Sequence, residues 1–452
     1  MGKLFGTDGI RGVVNETLDG ALAFRTGQAT AVSLKKEKNE QPTVLIGMDT
    51  RISSDMLEHA LTAGLCTCGA NVIKLGVIPT PAVAYLTVKL GADAGIVISA
   101  SHNPFEYNGI KIFSGEGFKL NDALEEEIEE LILEDGQLPL ATHGDIGRVQ
   151  DGRKYMDLYI DHLASTVGSL SGLKIAVDCA NGASSMTAEK LFSKFDLDVT
   201  FLSNCPNGVN INDGCGSTNL RQLSEVVKTG GFDLGLAFDG DADRCLAVDE
   251  NGREIDGDQI MSLCAVSLRE KGKLKNDGFV ATVMSNLGLH KFAREHELNL
   301  LCAPVGDRFV LEMMQKEGMQ LGGEQSGHII FLDHMTTGDG QLAALQFLSI
   351  VCASGKKVSE LANLVTRYPQ VLINVKGPHS NQEKAALLEN PQLKQTIAAA
   401  EEKLAGEGRI LVRPSGTEAL IRVMVEAGTQ ELADEIAKKV AITVENLQKS
   451  GK

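Results

Sequence analysis

Leu234-Gly-Leu-Ala-Phe238, followed by Asp239-Gly-Asp-Ala-Asp-Arg244, is a short apolar run that ends in three alternating carboxylates. Such a run, bounded by polar and Gly residues, reads as a buried strand opening into a loop. Asp239, Asp241 and Asp243 stand at i, i+2 and i+4, a spacing that a helix scatters but extended chain or a tight loop gathers on one side. Three gathered carboxylates repel one another unless a cation joins them. Mg²⁺ suits them, because it prefers hard oxygen ligands and leaves positions open for a phosphate. An EF-hand also begins Asp-x-Asp-x-Asp, but here Arg244 takes the place of its Gly and the flanks read as strands. An aspartyl phosphotransferase with Asp239 as nucleophile is the sharper rival, and it leaves the other loops of the chain unexplained.

The same pattern occurs three times. Apolar runs at Val44 to Asp49, Leu173 to Asp178 and Gly278 to Ser285 each precede a helix-like segment and a second run, at Asn71 to Leu75, Asp198 to Leu202 and Leu298 to Cys302. A third run then opens into a polar loop: Ala94 to Ile98, Leu234 to Phe238, and Met319 to Leu321. This is a threefold repeat on the scale of a β-α-β unit. Ligands collect beyond the carboxyl ends of strands in open α/β sheets, so the three loops are expected to converge. The chain after about residue 370 differs. It predicts a strand at Val371 to Val375, a helix through 382–405, strands at Arg409 to Arg413 and Leu420 to Val425, and a helix over 430–449.

Ser99 and Ser101 lie in the loop Ser99-Ala-Ser-His-Asn-Pro104, whose Asn-Pro ending halts the strand and exposes its side chains. A hydroxyl beside a divalent cation can accept or donate a phosphoryl group, and the residues alone do not choose between the two serines. His102 is either a base or a structural partner, and Lys111 is a second candidate proton carrier. Glu324, Ser326 and His328 alternate along Gly322-Gly-Glu-Gln-Ser-Gly-His328, where the glycines admit a polar ligand such as a sugar. Arg413-Pro-Ser-Gly-Thr417 offers a guanidinium, the Ser415 and Thr417 hydroxyls and the amides around Gly416, with Arg422 on the next strand. Such a nest suits a phosphate dianion.

Composition limits the partners. The 452 residues carry a net charge of -17, with 43% apolar, 23% charged and only 4% aromatic side chains and no Trp. The acidic balance repels nucleic acid and anionic membranes, and so few aromatics leave little for base stacking. Nine cysteines without zinc-site spacing fit a reducing compartment. No signal-like start and no long apolar run appear, so a cytoplasmic protein without a membrane partner is expected.

The four loops, in this order, together with Phe5-Gly-Thr-Asp-Gly-Ile-Arg-Gly12, resemble the α-D-phosphohexomutase superfamily over nearly the whole chain. Gln325 makes the chain most similar to the bacterial branch acting on glucosamine phosphates, since relatives acting on mannose or glucose phosphates more often carry Met there. That second branch is the alternative. The resemblance implies an α/β fold: three similar α/β domains with mixed sheets plus a smaller C-terminal α+β domain around a central cleft. The boundaries read 1–152, 153–253, 254–369 and 370–452. It also implies that Ser101 is the phosphorylated residue, that its phosphorylation is required for activity, and that the phosphate completes one Mg²⁺ site with Asp239, Asp241 and Asp243. Arg11, Arg244 and His102 would surround that phosphoserine, Glu324 and Ser326 would hold sugar hydroxyls, and Arg413, Ser415, Gly416, Thr417 and Arg422 would bind the idle phosphate. Lys111 or His328 would move the proton. The implied reaction interconverts glucosamine 6-phosphate and glucosamine 1-phosphate through a bisphosphate, supplying amino-sugar nucleotides and cell-wall precursors. Asn219 departs from the His common at its position, which touches none of these roles. Oligomeric state is left open, a homodimer included.

Overall fold

In the computed structural model, the described residues are 4–450 apart from 7, 39–40, 135, 137, 379 and 416–418. They form two compact units, Met1–Met284 with Leu298–Asn363, and Ser285–Glu297 with Leu364–Lys452.

The first unit holds three sheets built on one plan. In each, the strand that opens the repeat is central, the second and third strands flank it in parallel, and a fourth returns antiparallel. In the first sheet Thr43–Met48 lies between Asn71–Val77 and Ala94–Ile98, and Tyr107–Ser114 returns beside Ala94–Ile98. The second sheet sets Ser171–Asp178 between Asp196–Leu202 and Leu234–Phe238, with Cys245–Asp249 returning. The third sets Gly278–Thr282 between Asn299–Ala303 and Leu321–Gly323, with Ile329–Phe331 returning. The mixed sheets of the sequence reading are thus present, and so is its threefold repeat. Strands covered on both faces have no polar side to show, which is why Ala94–Ile98, Leu234–Phe238 and Gly278–Thr282 are buried throughout and read as unbroken apolar runs. One boundary moves: Gly322 and Gly323 belong to the strand Leu321–Gly323 rather than to the loop.

The first sheet is extended by Gly9–Val13, which pairs antiparallel with Tyr107–Ser114 and brings Arg11 opposite Gly109. Helices Gly20–Lys38, Ser54–Thr67 and Asp122–Leu133 share its apolar core, including Leu57, Leu61, Ile96 and Ile128. The two Glu129 contacts fix where this edge begins, since its carboxylate accepts the Leu4 and Phe5 amides at 2.7 and 3.0 Å.

The second unit has an antiparallel sheet ordered Gln370–Lys376, Leu420–Glu426, Arg409–Pro414, covered by Gln430–Ser450. The single helix expected over 382–405 is two, Asn381–Leu388 and Pro391–Leu404. Proline lacks the amide to continue a helix but suits a first turn, and Asn390 caps the new start by accepting from the Gln392 amide. Helix Leu287–Glu295 also belongs to this unit, although strands of the third sheet precede and follow it. It is fastened there by Arg409, which donates to Ser285 O at 2.7 Å and to Glu426 Oε2 at 3.0 Å. Asn286 bonds both ways with Tyr368, and Gly288 packs so closely on Thr366 O that a Cβ would meet it at 1.7 Å.

Candidate functional site

The carboxyl ends of the three central sheets bring their loops together. Ser101 and Ala242 both adopt left-handed backbone, φ 50° and 58°, an uncommon choice for non-Gly residues that concentrates at functional turns. Their loops touch at Gly240, where a Cβ would lie 2.5 Å from Ser101 O and 2.8 Å from Asn212 Nδ2. Only glycine allows that approach.

The two serines then separate. Ser99 Oγ donates to Asp49 Oδ2 at 2.6 Å and accepts the Ser101 amide at 3.0 Å, so its hydroxyl is spent on holding the loop. Ser101 Oγ donates instead to Asp239 Oδ2 at 2.7 Å, with His102 Nδ1 at 3.3 Å. The loop is braced from beneath by Arg51, whose buried guanidinium bonds Asp49 and the carbonyls of Ser101, Asn103 and Pro104. Asn212 also donates to Ser101 O and Asn103 O. Asp49, Arg51 and Asn212 escaped the sequence reading. Asp49 could have been found, because it closes the first apolar run of its repeat, one residue past the strand, as Asp178 closes that of the second, where it accepts the Ala180 and Gly216 amides.

Asp239, Asp241 and Asp243 are buried, and a ligand oxygen from each lies within 4.8 Å of the others. Burial, then the Asp243 and Asp241 charges, pushes Asp239 well above the usual carboxylate range. For Asp243 burial works the same way but is outweighed by His328, Lys111 and Arg244, which hold it below that range. Asp241 Oδ1 and Asp243 Oδ1 have no hydrogen-bond partner among the described residues. Buried carboxylate oxygens without partners are costly, and a divalent cation would satisfy them. The donor set fits a hard cation.

Around this cluster the charges alternate. Lys111 Nζ lies 2.9 Å from Asp241 Oδ2 and 3.1 Å from Asp8 Oδ2. Lys119 Nζ lies 2.6 Å from Asp8 Oδ1 and 2.6 Å from Asp307 Oδ2. His328 closes the circuit with Nε2 3.7 Å from Asp307 Oδ2 and Nδ1 3.5 Å from Asp243 Oδ2. Burial opposes the charge on Lys111, but Asp241 and Asp8 outweigh it and keep the ammonium protonated; Asp307 and Asp8 do the same for Lys119. His328 is likewise opposed by burial, and Asp243, followed by Asp307 and Glu324, raises it to about 9. The Gly338 amide lies 3.2 Å from His328 Nε2 and donates to it when the ring is neutral, the ring proton then sitting on Nδ1 toward Asp243. Asp8, Lys119 and Asp307 were not singled out in sequence.

Arg244 Nη1 stands 3.2 Å from His102 Nδ1, and its amide donates to Asp239 Oδ1. Burial, with the Arg244 and Arg11 charges, lowers His102 to about 4 and leaves it a neutral partner of the Ser101 hydroxyl. Arg11 itself pairs with Asp8. Glu324 Oε1 accepts the Gly306 amide at 3.1 Å, and Ser326 Oγ is buried without a partner among the described residues. Lys119, Asp307 and His328 line a cleft of ≈ 190 Å³ together with Thr336 and Thr337.

In the second unit Arg413 and Arg422 face each other across adjacent strands. Burial and the Arg422 charge both lower Arg413, the signature of a cation pair suited to an anion. Buried Lys384, absent from the sequence reading, donates to Ser415 O at 3.0 Å. Gly416 and Thr417 lie outside the described residues.

Comparison with known proteins decides the family. Sequence models of phosphoglucomutase/phosphomannomutase match in chain order: alpha/beta/alpha domain I at residues 2–138, domain II at 157–252, domain III at 256–368 and the C-terminal domain at 372–443. The chain belongs to the phosphoglucomutase/phosphomannomutase family. It is a phosphohexomutase, an enzyme of the isomerase class. A curated relative, the phosphoglucosamine mutase of Acetivibrio thermocellus, is 52% identical over 98% of this chain and 99% of its own length. Among solved structures, a phosphoglucomutase/phosphomannomutase family protein of Burkholderia thailandensis superposes with a TM-score of 0.80 at 22% identity, covering 98% of this chain and 97% of that one. The N-acetylphosphoglucosamine mutase of Aspergillus fumigatus, solved in complex with GlcNAc-6P and magnesium, does so at 0.69 and 19%, covering 98% and 95%. No helix of this phosphohexomutase, among the described residues, is long and apolar enough to cross a membrane.

Proposed function

We propose that this phosphohexomutase interconverts glucosamine 6-phosphate and glucosamine 1-phosphate, with phosphorylated Ser101 as the phosphoryl carrier. The observation that carries the reading is Ser101 Oγ, 2.7 Å from Asp239 inside the three-carboxylate cluster. The choice of amino sugar is supported by the 52% identity over the whole length of a phosphoglucosamine mutase, and by Gln325.

Phospho-Ser101 gives its phosphoryl group to the free hydroxyl of the sugar phosphate: the serine O–P bond breaks, the sugar O–P bond forms, and the product is a bisphosphate. The bisphosphate turns over, and its other phosphate returns to Ser101. Asp239, Asp241 and Asp243, with the serine phosphate, would hold Mg²⁺, which when bound offsets the charge spread over the transferring group. Lys111 or His328, both buried against the aspartates, moves the proton; Arg11, Arg244 and His102 surround the phosphoserine. Glu324 and Ser326 take sugar hydroxyls, while Arg413, Ser415, Gly416, Thr417 and Arg422 hold the phosphate that is not reacting. Four domains, 1–152, 153–253, 254–369 and 370–452, then contribute one loop each, in a cytoplasmic enzyme feeding amino-sugar nucleotide and cell-wall precursor synthesis.

Coupled assays on glucosamine, mannose and glucose phosphates test the substrate. kcat/KM is expected to be about tenfold or more higher for glucosamine 6-phosphate, and a preference of that size for either neutral sugar would reassign it. Dialysis against a chelator is expected to abolish turnover and Mg²⁺ to restore it. Full activity in the metal-free protein would refute the role given to the aspartates.

A further inference from the structure

Beneath the catalytic cluster lies a pair of polar side chains that the proposed chemistry does not use. Tyr159, on helix Met156–Ser165, and Asp339 are both wholly buried, and Tyr159 OH donates to Asp339 Oδ2 at 2.8 Å. The other carboxylate oxygen, Oδ1, accepts the Leu342 amide at 2.9 Å and so caps helix Gly340–Ser354. A buried carboxyl with both oxygens engaged fixes the backbone on either side of it.

That backbone is what touches the site. One residue before Asp339, the Gly338 amide lies 3.2 Å from His328 Nε2; one residue after, the Gly340 amide donates to Ala242 O at 3.0 Å. Ala242 is the left-handed residue between Asp241 and Asp243. Neither glycine has slack: a Cβ at Gly338 would meet His328 Nε2 at 2.4 Å, and one at Gly340 would meet Arg244 O at 2.3 Å. The start of the helix is pinned once more where Thr187 Oγ1 donates to Gln341 Oε1 at 2.9 Å.

We infer that Tyr159 and Asp339 are positioning residues: their hydrogen bond sets the segment Gly338 to Gly340, which holds the His328 ring and the aspartate loop at a fixed separation. This rests on the role proposed for the aspartates. Groups that orient metal ligands are commonly worth about 10-fold to 100-fold in affinity or activity. Burial lifts the Asp339 carboxyl to about 7, so a neutral amide of the same shape is the fitting conservative replacement.

The test compares Tyr159→Phe, Asp339→Ala and Asp339→Asn in the full chain, reading kcat, KM for the sugar phosphate, and Mn²⁺ affinity by electron paramagnetic resonance. Tyr159→Phe and Asp339→Ala are expected to lower kcat and weaken Mn²⁺ binding by about tenfold or more, with KM within about twofold. Asp339→Asn, which keeps the cap, is expected to recover most of both. Should Asp339→Ala fail to fold, Tyr159→Phe decides alone, since it removes one oxygen. Wild-type kcat and Mn²⁺ affinity in Tyr159→Phe would overturn the inference, even if its melting temperature fell. Absence of Mn²⁺ binding in the wild type would count against the aspartates as metal ligands, while the kcat comparison would still decide the brace.

Discussion

Ser101→Ala is expected to lower turnover of glucosamine 6-phosphate by roughly 10⁴-fold or more, as removal of a covalent nucleophile does. The same variant should carry no phosphate on the loop when its peptides are weighed. The size follows from position. Ser101 Oγ is the hydroxyl that reaches Asp239, whereas the neighbouring Ser99 Oγ is bonded to Asp49 beneath the loop. Ser99→Ala therefore removes a support, not the carrier, and should leave phosphate on Ser101 with a far smaller loss of rate. Activity surviving in Ser101→Ala would refute the phosphoserine mechanism. Phosphate found on Asp239 would favour the aspartyl phosphotransferase.

The second large effect is expected at Lys119. Its ammonium bridges Asp8 and Asp307, 2.6 Å from each, with a side chain only 18% exposed. Lys119→Met leaves two carboxylates facing one another. Breaking a buried ion pair from one side costs about 3–5 kcal/mol, and this partly open site should fall toward the lower end. The activity loss should exceed what that destabilisation alone brings, because Asp8 also holds Lys111 and Arg11 while Asp307 faces His328. Release of both carboxylates disturbs both proton carriers, so kcat is expected to fall about 100-fold. Lys119→Arg keeps the charge and should recover part of it. A Lys119→Met enzyme with kcat within about threefold of wild type, assayed well below its inactivation temperature, would show that the ion chain does not serve the reaction.

The fold was legible because fully covered parallel strands leave an unmistakable apolar run, and because the chain writes that run three times at equivalent places. The loops at the strand ends were legible for the same reason, Asp239 to Asp243 most of all, since three carboxylates in alternation have no simpler explanation in a buried loop. What sequence could not supply was partnership. Lys119 and Asp307 stand 188 residues apart and read as ordinary surface charges until tertiary structure makes them neighbours. The choice between Ser99 and Ser101 was of this kind too: both are small hydroxyls in one turn, and only their acceptors distinguish them. The break at Pro391 was readable, since Asn390-Pro391 is a helix-start signal inside a Lys/Glu/Ala-rich stretch; the favourable composition on either side masked it.

Helix Leu287–Glu295 bears on how the gene can be divided. The two units are joined by three passages of the backbone, near residues 284, 297 and 363, instead of one linker. A fragment starting at residue 370 would carry Arg409 and Glu426 without Ser285 and the Leu287 amide that they bind, and would leave the buried Glu426 carboxylate without that donor. Expression of the C-terminal part by itself is thus expected to give a less stable fold. A single protease cut within residues 364–369, by contrast, should leave the two pieces associated, because the helix remains covalently part of the larger piece while docked on the smaller.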